Sequence, residues 1–442
     1  MTETAADHTS SGPEQSQRTS PTMARRAVVA GGIGNVIEWY DYGVYAALSP
    51  IIATLFFPSA SVVASTLATF AVFGVGFVVR PLGGFFFGQL GDRRGRRMAL
   101  ALALVLVSLS TFGMGILPTY PQVGALAPVL LVVLRILQGF SAGGEWTGSA
   151  ALMIENARPG RRGWIASWQQ FSVILGTLLG VLIVTAITRI WSDQALASWG
   201  WRIPFLVSLV LGGIGLYIRL RLEDTPHFKS LQRANLVAER PTREALRTQR
   251  GPMLRALLFT ALPNVGFYTF VTYTPTFLRQ EGGLSLSQAY LVNLVGQLIY
   301  AVLTPLIGRL SDRVGRRPLL LVHAGGFFVL ALPIYLLMSR GSFAAALLVQ
   351  LPALLVMAFY AGPGTAALTE MFPTRLRYSG LAIPYNVSSA LFGGTAPFIA
   401  TGLIALLHTP LAPAFYAMLV AIPTFVVYLT MRETAFEPLR DT

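Results

Sequence analysis

Gly88-Gln89-Leu90-Gly91-Asp92-Arg93-Arg94-Gly95-Arg96-Arg97 and Gly308-Arg309-Leu310-Ser311-Asp312-Arg313-Val314-Gly315-Arg316-Arg317 are one pattern, G-x-L-x-D-R-x-G-R-R, written twice. The first copy lies between the second and third apolar segments of the chain. The second lies between the eighth and ninth, at the same place in its half. A ten-residue string repeated in register divides the chain into two units of six segments each. The fold is decided by that division.

The surrounding sequence is that of a membrane protein. Of 442 residues 54% are hydrophobic and only 12% are charged, about half the charge of an ordinary soluble protein. The apolar residues gather in runs of roughly 20, the length a helix needs to cross about 30 Å of hydrocarbon. Twelve such runs fall near 27–56, 62–90, 97–117, 127–155, 163–190, 202–221, 253–279, 285–311, 317–338, 343–371, 378–404 and 410–431. Gly and Pro inside them are tolerated in membrane helices. The expected fold is an all-α integral membrane protein with two six-helix bundles, residues 25–222 and 253–432. A polar, mixed-charge linker, 223–252, joins the bundles. Tails at 1–24 and 433–442 complete the chain, the first polar, disordered and without the apolar core of a signal peptide.

The loops orient the bundles. Arg25 and Arg26 precede the first segment; Arg93, Arg94, Arg96 and Arg97 follow the second; Arg158, Arg161 and Arg162 follow the fourth. Arg313, Arg316 and Arg317 follow the eighth, and Arg375 and Arg377 the tenth. The alternate loops, 58–61 and 118–128, carry no charge. By the positive-inside rule both termini are cytoplasmic. The same placement disposes of nucleic acid as the explanation for a net charge of +14. There is no Cys, and four scattered His lack metal-ligand spacing, so no cofactor and no metal are expected. The absence of a G-x-x-x-x-G-K-[ST] segment argues against an ATP-driven pump.

The repeated element resembles the signature loop of the major facilitator superfamily. Gly34-Asn35-Val36-Ile37-Glu38-Trp39-Tyr40-Asp41, Arg80-Pro81-Leu82-Gly83-Gly84, the stretch from Gln138 to Glu145, the stretch from Trp199 to Phe205 and Glu370-Met371-Phe372-Pro373 look like its metabolite–proton symporter branch. The resemblance spans about residues 25–435. It implies the major facilitator fold and proton-coupled uptake of a small solute such as proline, betaine, 2-oxoglutarate or a related carboxylate. Two departures stand out. The chain stops at Thr442, without the long coiled coil of osmosensing members. The fifth segment reads Gly176-Thr177-Leu178-Leu179-Gly180 where drug exporters usually carry a Gly-Pro pair.

Helix geometry locates candidate chemistry. At 1.5 Å per residue, Glu38 and Arg80 both fall roughly 18 Å from the cytoplasmic face, near the bilayer centre, with Asp41 about 4–5 Å beyond. Ionisable groups at that depth face the protein interior and each other. Asn35, Glu38, Tyr42, Tyr45 and Ser49 share one face of the first helix. Arg135, Gln138, Ala142, Glu145 and Ser149 do so in the fourth. Glu38 or Asp41, with Glu145 as a third acid, would take up the coupling proton. Arg80 or Arg135 would bind a substrate carboxylate, because a guanidinium fork matches two oxygens. These charges could instead pin helices within one half. Asn35, Tyr42, Tyr45, Gln138 and Gln169 complete the polar set of the first half. The second half offers neutral candidates, Asn264, Tyr268 and Asn386, which hydrogen-bond either a solute or a neighbouring helix.

The repeated loops read as gates. Gly88, Gly91, Asp92, Arg93, Gly95, Arg96 and Arg97, and in the second half Gly308, Asp312, Arg313, Gly315, Arg316 and Arg317, would make helix-end contacts that hold the inner side shut in one state. The expectation is a multi-pass carrier of the bacterial inner membrane, functional as a monomer, moving a small polar solute by alternating access. An exporter on the same fold and a receptor without transport are the competing classes.

Overall fold

A computed structural model describes residues 21–59, 61–94, 96–155, 157–221, 241–373 and 377–439. Its long helices, numbered here as membrane rods, are α1 Pro21–Ala47, α2 Val62–Arg94, α3 Arg96–Gly115, α4 Leu126–Glu155, α5 Arg162–Ile190 and α6 Arg202–Arg221. In the second half they are α7 Arg250–Phe267, α8 Leu286–Val314, α9 Arg316–Met338, α10 Phe343–Glu370, α11 Gly380–Leu407 and α12 Ala412–Thr430. Among the described residues ten helices are long and apolar enough to cross a membrane. With α1, which carries Glu38 and Asp41, and α3 they make up the twelve rods. Most of the expected linker, residues 222–240, lies outside the described residues. Its end forms a short helix, Pro241–Thr248, and α7 begins at Arg250 rather than at Met253.

Packing follows the duplication. In the first half α1 lies along α5, α3 along α6, and α2 along α4. The same three pairings recur six helices later, α7 with α11, α9 with α12 and α8 with α10. The halves meet through α5 on α8 and α2 on α11, and the repeat operation interchanges these two contacts. Small residues bring helices together where van der Waals packing is the main attraction. A Cβ on Gly139 of α4 would lie 1.8 Å from the Gly76 carbonyl oxygen of α2. Between the halves, a Cβ on Gly163 of α5 would lie 2.6 Å from the Gly308 carbonyl oxygen of α8.

Several rods are broken near mid-length. α4 interrupts its helix at Gly143 and Gly144. α7 contains Pro263 and widens into a π turn at Tyr268–Thr272, and α11 contains Pro384 and widens at Ser389–Gly394. Pro removes a backbone donor and π turns loosen the ladder. Non-helical backbone at membrane depth is tolerated where protein covers it or a cavity receives it. The side chain of Asn386 donates to the Gly143 carbonyl at 2.8 Å, satisfying the break in α4 from the other half.

Both ends of the interface between halves are closed. At the end bearing the repeated motif, Asp312 accepts the backbone N–H groups of Gly163 and Trp164, each at 2.8 Å. A carboxylate here meets the free donors and positive end of α5. Arg162 pairs with Glu370 at 3.2 Å and Arg377 with Glu155 at 3.3 Å, each pair joining the two halves. At the opposite end Ser49 bonds Thr276 at 3.2 Å, Gln280 donates to Thr66 at 2.9 Å, and the Tyr290 hydroxyl donates to the Ala47 carbonyl. The conformation is occluded.

Trp201 and Arg202 look in sequence like an anchor at the membrane surface. Trp201 is buried against Phe56 and Phe205. Arg202 donates to the carbonyls of Gly115 and Leu117 at 3.0 and 2.6 Å, capping the end of α3. The unsatisfied carbonyls of a helix terminus attract a nearby cation more strongly than solvent does.

Candidate functional site

The polar face of α1 divides by depth. Near the motif end Asn35 donates to Ser149 at 3.0 Å and Ser172 at 3.3 Å, tying α1 to α4 and α5. Farther along, Tyr45 donates to the Thr69 carbonyl of α2 at 3.1 Å. Between them Glu38 meets Arg80 of α2, oxygen to nitrogen 2.8 Å, with 3% and 1% of the side chains exposed. The Arg80 guanidinium lies 4.4 Å from the ring centre of Phe77, 4.7 Å from that of Tyr42 and 5.6 Å from that of Trp39. Its Nε donates to the Tyr42 hydroxyl at 3.4 Å.

Asp41 belongs to a second system. The Thr111 hydroxyl donates to Asp41 Oδ2 at 2.7 Å, and Gln138 Nε2 donates to Thr111 Oγ1 at 2.7 Å. Gln138 Oε1 accepts from Arg135, which also donates to the Phe73 carbonyl at 3.2 Å. Arg135 lies 4.2 Å from the Tyr45 ring centre and 5.2 Å from that of Tyr42. This chain links α1, α3 and α4 inside the first half. Tyr42 is its bridge to the first system, because its ring carries both guanidiniums.

A cavity lies where the halves meet. Trp39, Trp146 and Gln170 line it from the first half; Thr260, Pro263, Asn264, Phe267, Tyr268, Tyr300, Met357, Tyr360 and Tyr385 line it from the second. About 30 Å³ of free volume remains inside, room for one or two water molecules. A guest larger than that needs a wider cavity than this one. The floor towards the motif end is Trp146 stacked on Tyr385, ring centres 3.8 Å apart and planes 10° from parallel. The wall towards Arg80 is Trp39, packed on Phe267 and Tyr268. The hydroxyl of Tyr268 and the indole nitrogen of Trp39 have no hydrogen-bond partner among the described residues. Buried polar groups normally find one, so these two can meet a polar guest.

Of the candidates from sequence, Asn264 and Tyr268 line the cavity and Arg80 with Glu38 stands behind its Trp39 wall. Arg135, Gln138, Tyr45 and Asn35 do not line it. Gln169 accepts from Thr365 across the interface at 3.2 Å, while its neighbour Gln170 reaches the cavity. Asn386 is committed to Gly143, and Glu145 is buried on α4 beside that break. Of the second gate element, Arg316 bonds Asp312 at 2.9 Å and Arg313 is exposed. The side chains of Asp92, Arg93, Arg96 and Arg97, with Gly88, Gly91 and Gly95, lie outside the described residues. Trp146, Tyr300, Tyr360 and Tyr385 were not singled out by sequence, because an aromatic in an apolar helix reads equally as lipid-facing.

Comparison with known proteins agrees with this architecture. Residues 31–397 match the Major Facilitator Superfamily. The chain is 37% identical to the proline/betaine transporter of Escherichia coli strain K12 over 430 residues, covering 94% of this chain and 85% of that protein. It is 35% identical to the alpha-ketoglutarate permease of the same organism over 419 residues, covering 94% and 96%. Among solved structures, the proton:xylose symporter XylE bound to 6-bromo-6-deoxy-D-glucose superposes with a TM-score of 0.76 at 21% identity, covering 95% of this chain and 98% of that one.

Proposed function

Since the chain belongs to the Major Facilitator Superfamily, we propose that it is a multi-pass carrier that takes up a small zwitterion together with a proton by alternating access. The observation that carries this reading is Arg80, held by Glu38 against the wall of an enclosed, largely aromatic cavity between the halves. A guanidinium suits a carboxylate. Aromatic faces suit an ammonium carrying alkyl groups, which is attracted by the ring quadrupole and has few hydrogen bonds to lose. A solute with both ends, of the proline or betaine kind, matches the two surfaces better than a dicarboxylate, since among the described residues no cation lines the cavity itself and Arg80 alone stands against its Trp39 wall. In this reading the motif end faces the cytoplasm of a bacterial cell, both termini lie there, and one copy of the chain suffices.

The mechanism follows from charge. With Glu38 ionised, Arg80 is satisfied internally. An arriving carboxylate competes for the same guanidinium and opens the pair. Asp41 is the acid best placed to take the coupling proton, since its contact is a hydroxyl, Thr111, and not a cation. A proton on Asp41 weakens its pull on Arg135. Arg135 then rests more firmly on Tyr45 and Tyr42, and Tyr42 transmits the change to Arg80. Substrate and proton thus act on one network and stabilise the same occluded state. One proton moving down about 150 mV supplies roughly 3.5 kcal/mol, enough to hold a solute gradient of a few hundred-fold.

Proteoliposomes with and without an inward proton gradient provide the test. Labelled betaine or proline should accumulate only with the gradient. Accumulation of 2-oxoglutarate with no uptake of either zwitterion would reject the assignment of the aromatic wall.

A further inference from the structure

Beyond α12, residues 433–439 stay against the protein. Glu433 accepts the backbone N–H groups of Arg316 at 2.8 Å and Arg317 at 3.0 Å, so it caps the start of α9. Thr434 donates its hydroxyl to Glu370 at the end of α10. These contacts lie within the second half. The next residues cross to the first half. The Arg162 guanidinium, at the start of α5, donates to the carbonyls of Thr434 at 3.1 Å, Ala435 at 3.2 Å and Glu437 at 2.5 Å. Leu439 then packs on a cluster formed by Ile154 of α4, Ala166 of α5 and Ala366 of α10.

We propose that residues 433–439 are a latch on the motif end of the carrier, anchored by Glu433 to one half and clasped by Arg162 and Leu439's apolar seat on the other. The division of contacts argues for a moving part. Rocking of one half against the other leaves the Glu433 cap intact, because α9 travels with α12. The same motion must break the bonds of Arg162, whose Nη2 shares its two N–H groups among the three carbonyls, and lift Leu439 off Ile154 and Ala166. Arg162 binds main-chain carbonyls, so the clasp depends on the path of the segment more than on its side chains. A guanidinium with several acceptors in fixed geometry makes a bond set that forms and releases together. Arg162 also pairs with Glu370 at 3.2 Å, so opening the motif end strips one residue of its partners on both sides at once. The segment adds to the closure made by Asp312 and α5, and it is absent from the opposite end.

This inference rests on the reading of the chain as an alternating-access carrier, and the experiment separates the two. The protein has no Cys, so Ala166→Cys with Leu439→Cys can be joined by a short bis-maleimide. The joined form should lose net uptake by about tenfold or more, while each single variant treated alike keeps it. Uptake undiminished by the crosslink overturns the latch and leaves the carrier reading standing; no uptake of any zwitterion by the unaltered protein removes the carrier reading itself. Glu433→Ala supplies an independent check. It frees the anchor, so an Ala366→Cys probe should react several-fold faster with an impermeant maleimide in inside-out vesicles. An unchanged labelling rate also overturns the proposal.

Discussion

Trp146 and Tyr385 lie face to face across the two halves, ring centres 3.8 Å apart, and close the cavity on the side of the repeated motif. Neither ring can stay where it is if solute leaves that way. An aromatic pair of this kind contributes about 0.5–1.5 kcal/mol beyond its buried area. Trp146→Ala should shift the balance towards the motif-open state by about two- to twelve-fold, measured as maleimide labelling of a Cys introduced at Gln170. Trp146→Phe should lie between. Equal labelling in all three would mean the stack is a bystander.

Neutralising the two acids of α1 should give different results. Asp41→Asn should abolish accumulation driven by the proton gradient yet leave solute exchange running. Glu38→Gln should retain a response to the gradient while altering solute affinity, since it frees Arg80. The reverse pattern would move the proton site to Glu38.

Arg80→Lys keeps the charge and loses the fork. The half-saturating concentration of a carboxylate-bearing solute should rise by roughly tenfold or more, the equivalent of about 1.4 kcal/mol. An alcohol analogue lacking the carboxylate should be far less affected. Identical losses for both would show that the substitution has disturbed packing and not recognition.

Close approach of α2 and α4 sets a stability limit. Gly139→Val must force the helices apart against Gly76, at a cost of about 1–3 kcal/mol or more for an overpacked core. Thermal unfolding in detergent should fall accordingly. Gly213→Ala, where a Cβ would meet nothing within 4 Å, is the control and should unfold no earlier than the parent chain.

Asp312→Asn keeps a side-chain oxygen near the start of α5 but removes the charge. Charged contacts at a helix N-terminus are worth about 0.3–2 kcal/mol, so the motif end should open more readily. The Ala366→Cys probe should report this as faster labelling, with Asp312→Glu closer to the parent.

What the sequence made legible was whatever obeys a period. Apolar runs gave the rods, the duplicated motif gave the two units, and the 3-4 spacing of α1 brought Glu38 to Arg80. Depth counted from loop arginines was sufficient to pair them because helices rise uniformly. Contacts that depend on a break in the period were not legible. Asn386 reaches the Gly143 carbonyl where α4 is interrupted, and Trp146, three residues on, stacks on Tyr385. The aromatic wall has no polar signature, so Tyr300, Tyr360 and Tyr385 could not be told from lipid-facing residues. Asp41 and Arg135 stand out in the sequence as candidates, but their link through Thr111 and Gln138 needs three helices in register. Trp201 and Arg202 misled, since an amphipathic pair at a helix end serves a buried cap as well as a membrane surface.

The buried charges behind the cavity wall come from one half, and most of the cavity's lining comes from the other. Asp41, Glu38, Arg80 and Arg135 all belong to α1, α2 and α4, whereas Thr260, Asn264, Phe267, Tyr300, Met357 and Tyr360 come from α7, α8 and α10. The two sets meet where Trp39 packs on Phe267 and Tyr268, and where Phe73 and Phe77 pack on Tyr268. A change of solute can be written into the second surface, one neutral residue at a time, without rewiring the engine. A lineage of carriers built this way can diversify what it imports while keeping a single way of being driven.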